Sequence, residues 1–106
     1  MRLQHVQGIE YHDGALYIAD TYNNKVKTID PLQRESRRLL GSGEAGHRDG
    51  PAVIAEFHEP CGVSLANGLV FVADTNNHAI RVADLATMEV TTLELDWGDF
   101  AERMMA

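Results

Sequence analysis

The sequence predicts an all-β fold: two units in tandem, each of four short antiparallel strands. Three observations carry this. Residues 8–31 and 62–85 align without a gap at an offset of 54: Gly8 falls on Gly62, Gly14 on Gly68, Ala19-Asp20-Thr21 on Ala73-Asp74-Thr75, Asn23 on Asn77 and Asp30 on Asp84. Where identity lapses the chemical type persists, as in Ile9/Val63, Tyr17/Phe71, Val26/Ile80 and Lys27/Arg81. Self-similarity at a fixed period marks a repeat architecture. The apolar runs inside each unit are short and bounded by turn residues, and both units carry a tight-turn pair at the same place, Asp13-Gly14 and Asn67-Gly68.

The elements follow in order. Gly8–Tyr11 is the first strand, and Asp13-Gly14 turns it into Ala15–Ala19. Asp20–Asn24 is a turn rich in side chains that bond nearby backbone. Lys25–Ile29 alternates polar and apolar residues, the pattern of a half-buried strand. Asp30-Pro31 ends it, because proline lacks the donor a ladder needs. Arg37–Leu40 is the outer strand. The second unit repeats this as Gly62–Leu65, Leu69–Ala73, the turn Asp74–His78, Ala79–Ala83 and Glu89–Leu95.

Four antiparallel strands per repeat is the unit of a β-propeller blade. The period of 54 exceeds the usual ~40–45 residues of such a blade. The excess sits in the interblade loop 41–60, glycine-rich at first, where Pro51–Phe57 is expected to form one or two helical turns with Val53, Ile54 and Phe57 facing inward. The division expected is blade 1 over residues 1–56, blade 2 over 57–95, and a tail at 96–106 that forms a short helix or a loose end anchored by Trp97 and Phe100. Two blades do not close a propeller, which takes about four to eight. The second strands are apolar at consecutive positions, so both faces of each want cover. Either a longer chain supplies the missing blades or several copies close the ring.

The bulk numbers bound the partners. Sixteen acidic against nine basic residues give a net charge of −7, which argues against nucleic acid or an anionic membrane, since both need a basic face. No run approaches the ~20 apolar residues of a membrane span, and no N-terminal stretch resembles a signal peptide, so a cytoplasmic location is expected. The single cysteine, Cys61, sets up no disulfide framework and no C-x-x-C redox pair.

These residues resemble a known family. Gly-Ile/Val, then Asp/Asn-Gly, Leu-Tyr-Ile-Ala-Asp-Thr at 16–21 and Asn-Asn-His-Ala-Ile-Arg-Val at 76–82 look like NHL repeats, which form propeller blades. The linker pattern Gly41-x-Gly43-x-x-Gly46-x-x-Asp49-Gly50 and Ala55-x-Phe57-x-x-Pro60-x-Gly62 looks like the NHL subgroup often attached to a thioredoxin-like domain. The resemblance covers nearly the whole chain except about the last ten residues. It implies a propeller that binds proteins or RNA, with a few members being enzymes. NHL-like lyases use a metal at the propeller axis, and no set of His, Tyr and Arg here matches theirs.

No motif names a catalytic residue or a cofactor. Gly41-Ser42-Gly43-Glu44-Ala45-Gly46 matches G-x-G-x-x-G, but strands flank it on both sides where a dinucleotide site needs a strand and then a long helix. It reads as an interblade loop. Asp20 and Asp74, with Asn23 and Asn77 three positions on, read as structural turn residues: each Asp accepts backbone N–H bonds in its own turn, and each Asn takes a left-handed conformation. A ring of carboxylates around a cation is the functional alternative. Among the histidines, His47 and His58 share one loop, where with Asp49 or Glu59 they are candidate metal ligands, against a reading as surface histidines. Arg34, Arg37 and Arg38 form one basic cluster, interrupted by Glu35, that suits a solvated outer strand.

The reading is a non-catalytic propeller scaffold that binds a protein, or another ligand, through blade loops, and that associates with itself or with missing blades. The alternative is a propeller domain accessory to a thioredoxin-like or lyase-type catalytic module outside this chain.

Overall fold

The computed structural model describes residues 3–94. Two antiparallel sheets follow one another along the chain. The first comprises β1 (Val6–His12), β2 (Ala15–Asp20), β3 (Lys25–Asp30) and β4 (Glu35–Leu40), side by side in chain order. The second is built from β6 (Pro60–Ala66), β7 (Leu69–Asp74), β8 (Ala79–Asp84) and β9 (Glu89–Thr92). A short strand from the linker, β5 (Gly50–Pro51), pairs on the outer side of β9, giving the order β5-β9-β8-β7-β6.

The 54-residue repeat holds down to single torsions. The left-handed residues other than glycine fall into pairs at that offset: His5 and Glu59, Asp13 and Asn67, Asn24 and His78, Arg34 and Met88. Asp13-Gly14 and Asn67-Gly68 have positive φ at both positions, which a two-residue hairpin needs to match the strand twist. The first strand of each sheet slips register at the same place, between Val6 and Gly8 and between Pro60 and Gly62.

The core lies between the sheets, with the linker threaded into it. Val26 and Leu40 of the first sheet meet Val70, Val72, Ala83 and Val90 of the second, together with Ala52, Ala55 and Phe57 of the linker. On the second sheet these residues share one face, as the pairings Val70 with Ala83 and Ala83 with Val90 require. The opposite face is open: Phe71 is half-buried, Ala73 is exposed and Ile80 is 40% exposed. The two second strands are covered unequally within this chain. In β2 the neighbours Ile18 and Ala19 are both buried, whereas in β7 only the side of Val70 and Val72 is covered.

Residues 51–57 do not form the expected helical turns. Pro51 pairs with Glu89, and the amide of Ala52 donates to the Met88 carbonyl, so the segment spends its backbone on β9. One tight turn follows, in which the amides of Ile54 and Ala55 donate to the Pro51 carbonyl. Phe57 is buried as expected, but Val53 and Ile54 are exposed, and the small residues Ala52 and Ala55 fill the space beneath the strand. Because β5 belongs to the second sheet, part of the loop 41–60 is structure of that sheet rather than of the first. The expected helix or tail at 96–106, with Trp97 and Phe100, lies outside the described residues.

Candidate functional site

The turns between β2 and β3 and between β7 and β8, the segments leading into β1 and β6, and the glycine-rich part of the linker gather at one end of the sheets. Hydrogen bonds between them define that end. Asn24 donates from Nδ2 to the Gly43 carbonyl at 3.3 Å and accepts at Oδ1 from the Glu59 amide at 2.9 Å. Asn77 donates to the Gly46 carbonyl at 2.7 Å.

Each repeat has the same carboxylate clamp here. Asp20 Oδ1 accepts from the Gln4 amide at 2.7 Å and Oδ2 from the Asn23 side-chain amide at 2.8 Å. Asp74 accepts from the His58 amide and from Asn77, each at 2.8 Å. Both carboxylates are fully buried. The amides they take belong to the segment leading into the sheet, 16 residues upstream, and not to the Asp's own turn. The left-handed residue is likewise one position beyond the one expected: Asn24 and His78 close the single 3-10 turns Thr21–Asn23 and Thr75–Asn77, and Asn23 and Asn77 lie inside them. The residues singled out in the sequence thus bind the lead-in strand to the turn.

Each clamp also holds a buried cation at the same repeat position. Lys27 pairs with Asp20, both side chains being buried. Arg81 Nη1 lies 2.8 Å from Asp74 Oδ2 and donates at 2.7 Å to the Glu56 carbonyl. Its Nη2 donates at 2.8 Å both to the Arg48 carbonyl and to Asp49 Oδ1. The guanidinium lies 4.9 Å from the centre of the Phe57 ring, a cation–π contact in a desolvated setting. Arg81 thereby ties the linker to β8. It sits on the apolar face because β7 pairs Val72 with Arg81. Burial pushes the Asp20 carboxyl upward, but Lys27, Asn23 and the Gln4 amide outweigh that and hold it below its ordinary value. Burial also raises the Asp49 carboxyl, and hydrogen bonds from Arg81 and Thr92, with the Arg81 charge, bring it below the ordinary value.

The metal candidates are otherwise engaged. Asp49 takes Arg81 and also accepts from the Thr92 hydroxyl at 2.9 Å. His47 Nε2 lies 3.0 Å from the Thr92 oxygen and donates to it, since that hydroxyl's proton goes to Asp49. His58 contributes its backbone amide to the Asp74 clamp. Among the described residues no group of three or more His, Cys, Asp or Glu is placed to hold a metal ion.

The G-x-G-x-x-G stretch follows β4 and leads into no helix. Four of its amides are spent on the protein: Gly41 on the Ala52 carbonyl, Ser42 on Ala55, Glu44 on the Ser42 hydroxyl and Gly46 on Phe57. A phosphate cradle needs such amides free.

The exposed chemistry of this end is aromatic and amide. His5 stacks on Tyr22, ring centres 4.5 Å apart and planes 11° from parallel, and Tyr22 is 52% exposed. Beside the second turn, exposed Asn76 donates to Glu59 Oε2 at 2.8 Å. An open depression of about 540 Å³ is lined in part by His47, Asn77, His78, Ile80 and Thr92. Neither the His5–Tyr22 stack nor the burial of Arg81 was read from the sequence. A cation in step with apolar β8 neighbours was the available signal for the second.

The family model of the NHL repeat matches residues 57–83. The chain is 44% identical over 98 residues, 88% of its length, to the Arabidopsis thaliana protein SUPPRESSOR OF QUENCHING 1, chloroplastic. It is 42% identical over 95 residues, 85% of its length, to NHL repeat-containing protein 2 of Bos taurus, and 38% identical over 99 residues, 89% of its length, to that of Homo sapiens. The chain spans 9% of the first relative and 13% and 14% of the other two.

Proposed function

Because this chain carries NHL repeats, we propose that it is a non-catalytic stretch of β-propeller scaffold that binds a protein partner through the loop end just described. The observation that carries this reading is the solvent-facing His5–Tyr22 stack, together with the exposed Asn76 amide of the second turn, which donates to Glu59. A tyrosine held rigid by stacking offers a large amphipathic contact at low entropic cost, and tyrosine is enriched at protein interfaces. The buried acids and cations of the clamps support a structural role, since their partners are within the chain. No described helix is long and apolar enough to cross a membrane.

A photo-crosslinking side chain at Tyr22 or at Asn76, introduced in cells, tests it. The expected result is discrete protein adducts from these two positions and none from Leu32, which lies 93% exposed in the hairpin at the opposite end of the first sheet. Equal labelling from all three positions, or none, overturns the reading.

A further inference from the structure

The joint between the two blades is encoded at both blades and occupied at one. On the first blade, a Cβ at Gly8 would stand 2.5 Å from the Cys61 carbonyl oxygen and 2.8 Å from Gly62 Cα, so the inner strands β1 and β6 cross in near backbone contact. Around that crossing the Thr21 hydroxyl donates to the Pro60 carbonyl at 2.8 Å, and Glu10 accepts from the Leu65 amide at 2.8 Å. Ala19 and Val26 are fully buried there.

Each of these positions has a mate 54 residues on, and those mates are open. A Cβ at Gly62 would meet only the Ala73 methyl, at 3.4 Å. Thr75 and Ser64 are exposed, Ala73 is exposed, and Ile80 is 40% exposed. The receiving side shows the same asymmetry. Phe57 and Pro60 are buried in the joint, and Val63 and Leu65 pack on its core. Their mates Leu3, Val6, Ile9 and Tyr11 are 37%, 40%, 61% and 64% exposed.

We propose that this chain binds a second copy of itself head to tail, the exposed side of β1 in one copy docking on the open face of β6 and β7 in the next, in the geometry of its own internal joint. A second copy is the occupant because both halves of the joint stand on this one chain, and each half is the repeat mate of a half already seated. The contact is heterologous, so copies add in one direction until a ring closes. About four to eight blades close a propeller, which makes about two to four copies.

Light scattering across a chromatographic concentration series reads the assembly, with multiples of 11.7 kDa expected. Gly62→Ala places a methyl in the crossing but meets only ordinary contact within its own chain. It should keep the parent circular dichroism and weaken association about tenfold or more. Ile9→Glu should do the same from the other half. Mixed together, the two variants retain one good edge each and should form a dimer and nothing larger. A parent that stays monomeric at every concentration, with the open face left for a blade of a longer chain, overturns the proposal. So do variants that associate like the parent, or a mixture that stays monomeric.

Discussion

Arg81 and Asp74 form an ion pair from which water is excluded, Nη1 lying 2.8 Å from Oδ2 with both side chains fully buried. A buried pair of this kind gains little over an apolar pair, because two charges must leave water. Losing one partner is another matter, since the other is left charged in the interior. Asp74→Ala is therefore expected to destabilise the fold by about 3 kcal/mol or more. Urea denaturation followed by circular dichroism measures it. A variant as stable as the parent would show the clamp to be dispensable.

Arg81→Lys asks whether the cation alone suffices, as Lys27 does at the mate position in the first blade. A lysine cannot span Asp74, Asp49 and two carbonyls as the planar guanidinium does. It would, however, relieve the Arg81 Nε–H, which is buried without a partner. A net loss of about 1–2 kcal/mol is expected, smaller than that of Asp74→Ala. The same denaturation series ranks the two.

Acid should loosen the linker. The Asp49 carboxyl is held below its ordinary value of 3.8 in the fold. A group lowered in this way contributes stability above its unfolded value, and that contribution is lost as the pH falls through the folded one. Asp49→Asn should thus be less stable than the parent at neutral pH, and the difference should close as the pH drops below 3.8. Thermal midpoints taken at stepped pH read this directly. A gap that widens in acid would refute the assignment.

Among the left-handed residues, Arg34 and Met88 pay a conformational cost that neither an Asn nor an Asp side chain eases. Arg34 and Met88 both have φ of 58° in the hairpins after β3 and β8. Side-chain-bearing residues in that region cost of order 1 kcal/mol or more. Replacement of either by glycine should raise stability, by up to about 1 kcal/mol once the looser unfolded chain is counted. Calorimetric melting of the two single variants tests this.

The glycine-rich stretch should not bind nucleotides, since four of its amides are used within the chain and no helix follows it. Calorimetry with NAD, ATP or flavin at millimolar concentration is expected to show no saturable heat. Gly43→Val should act on stability alone. A Cβ there would sit 2.9 Å from Lys25 Cε, and its φ of 99° suits no branched residue.

The offset of 54 carried most of the fold in the sequence. A repeat that preserves Asp-Gly and Asn-Gly turns also preserves the register on either side of them, so both sheets were legible strand by strand. The linker was not. Val53, Ile54 and Phe57 are spaced so that a helical turn would put them on one face, and Pro51 suits a helix start. What decided against the helix was the edge of β9, whose backbone takes Gly50–Pro51 as a strand, and that edge is far off in sequence. The role of Asp20 and Asp74 was half legible. Their recurrence in the turn marked them as structural, but the amides they bind belong to a segment 16 residues upstream, which local turn chemistry does not reveal. Arg81 was matched to Lys27 by type, yet only its pairing opposite Val72 puts it on the inner face.

The β5 strand also orders events during synthesis. Gly50 and Pro51 leave the ribosome well before Val90 and Glu89, their ladder partners. Until then Ala52, Ala55 and Phe57 have no second sheet to cover them, although the first sheet is already complete in sequence. Docking of the linker is consequently a late, long-range step, and it waits on the last described strand. A ribosome stalled before residue 89 should present the glycine-rich loop and Phe57 to proteases and chaperones, and one that has released the whole chain should not.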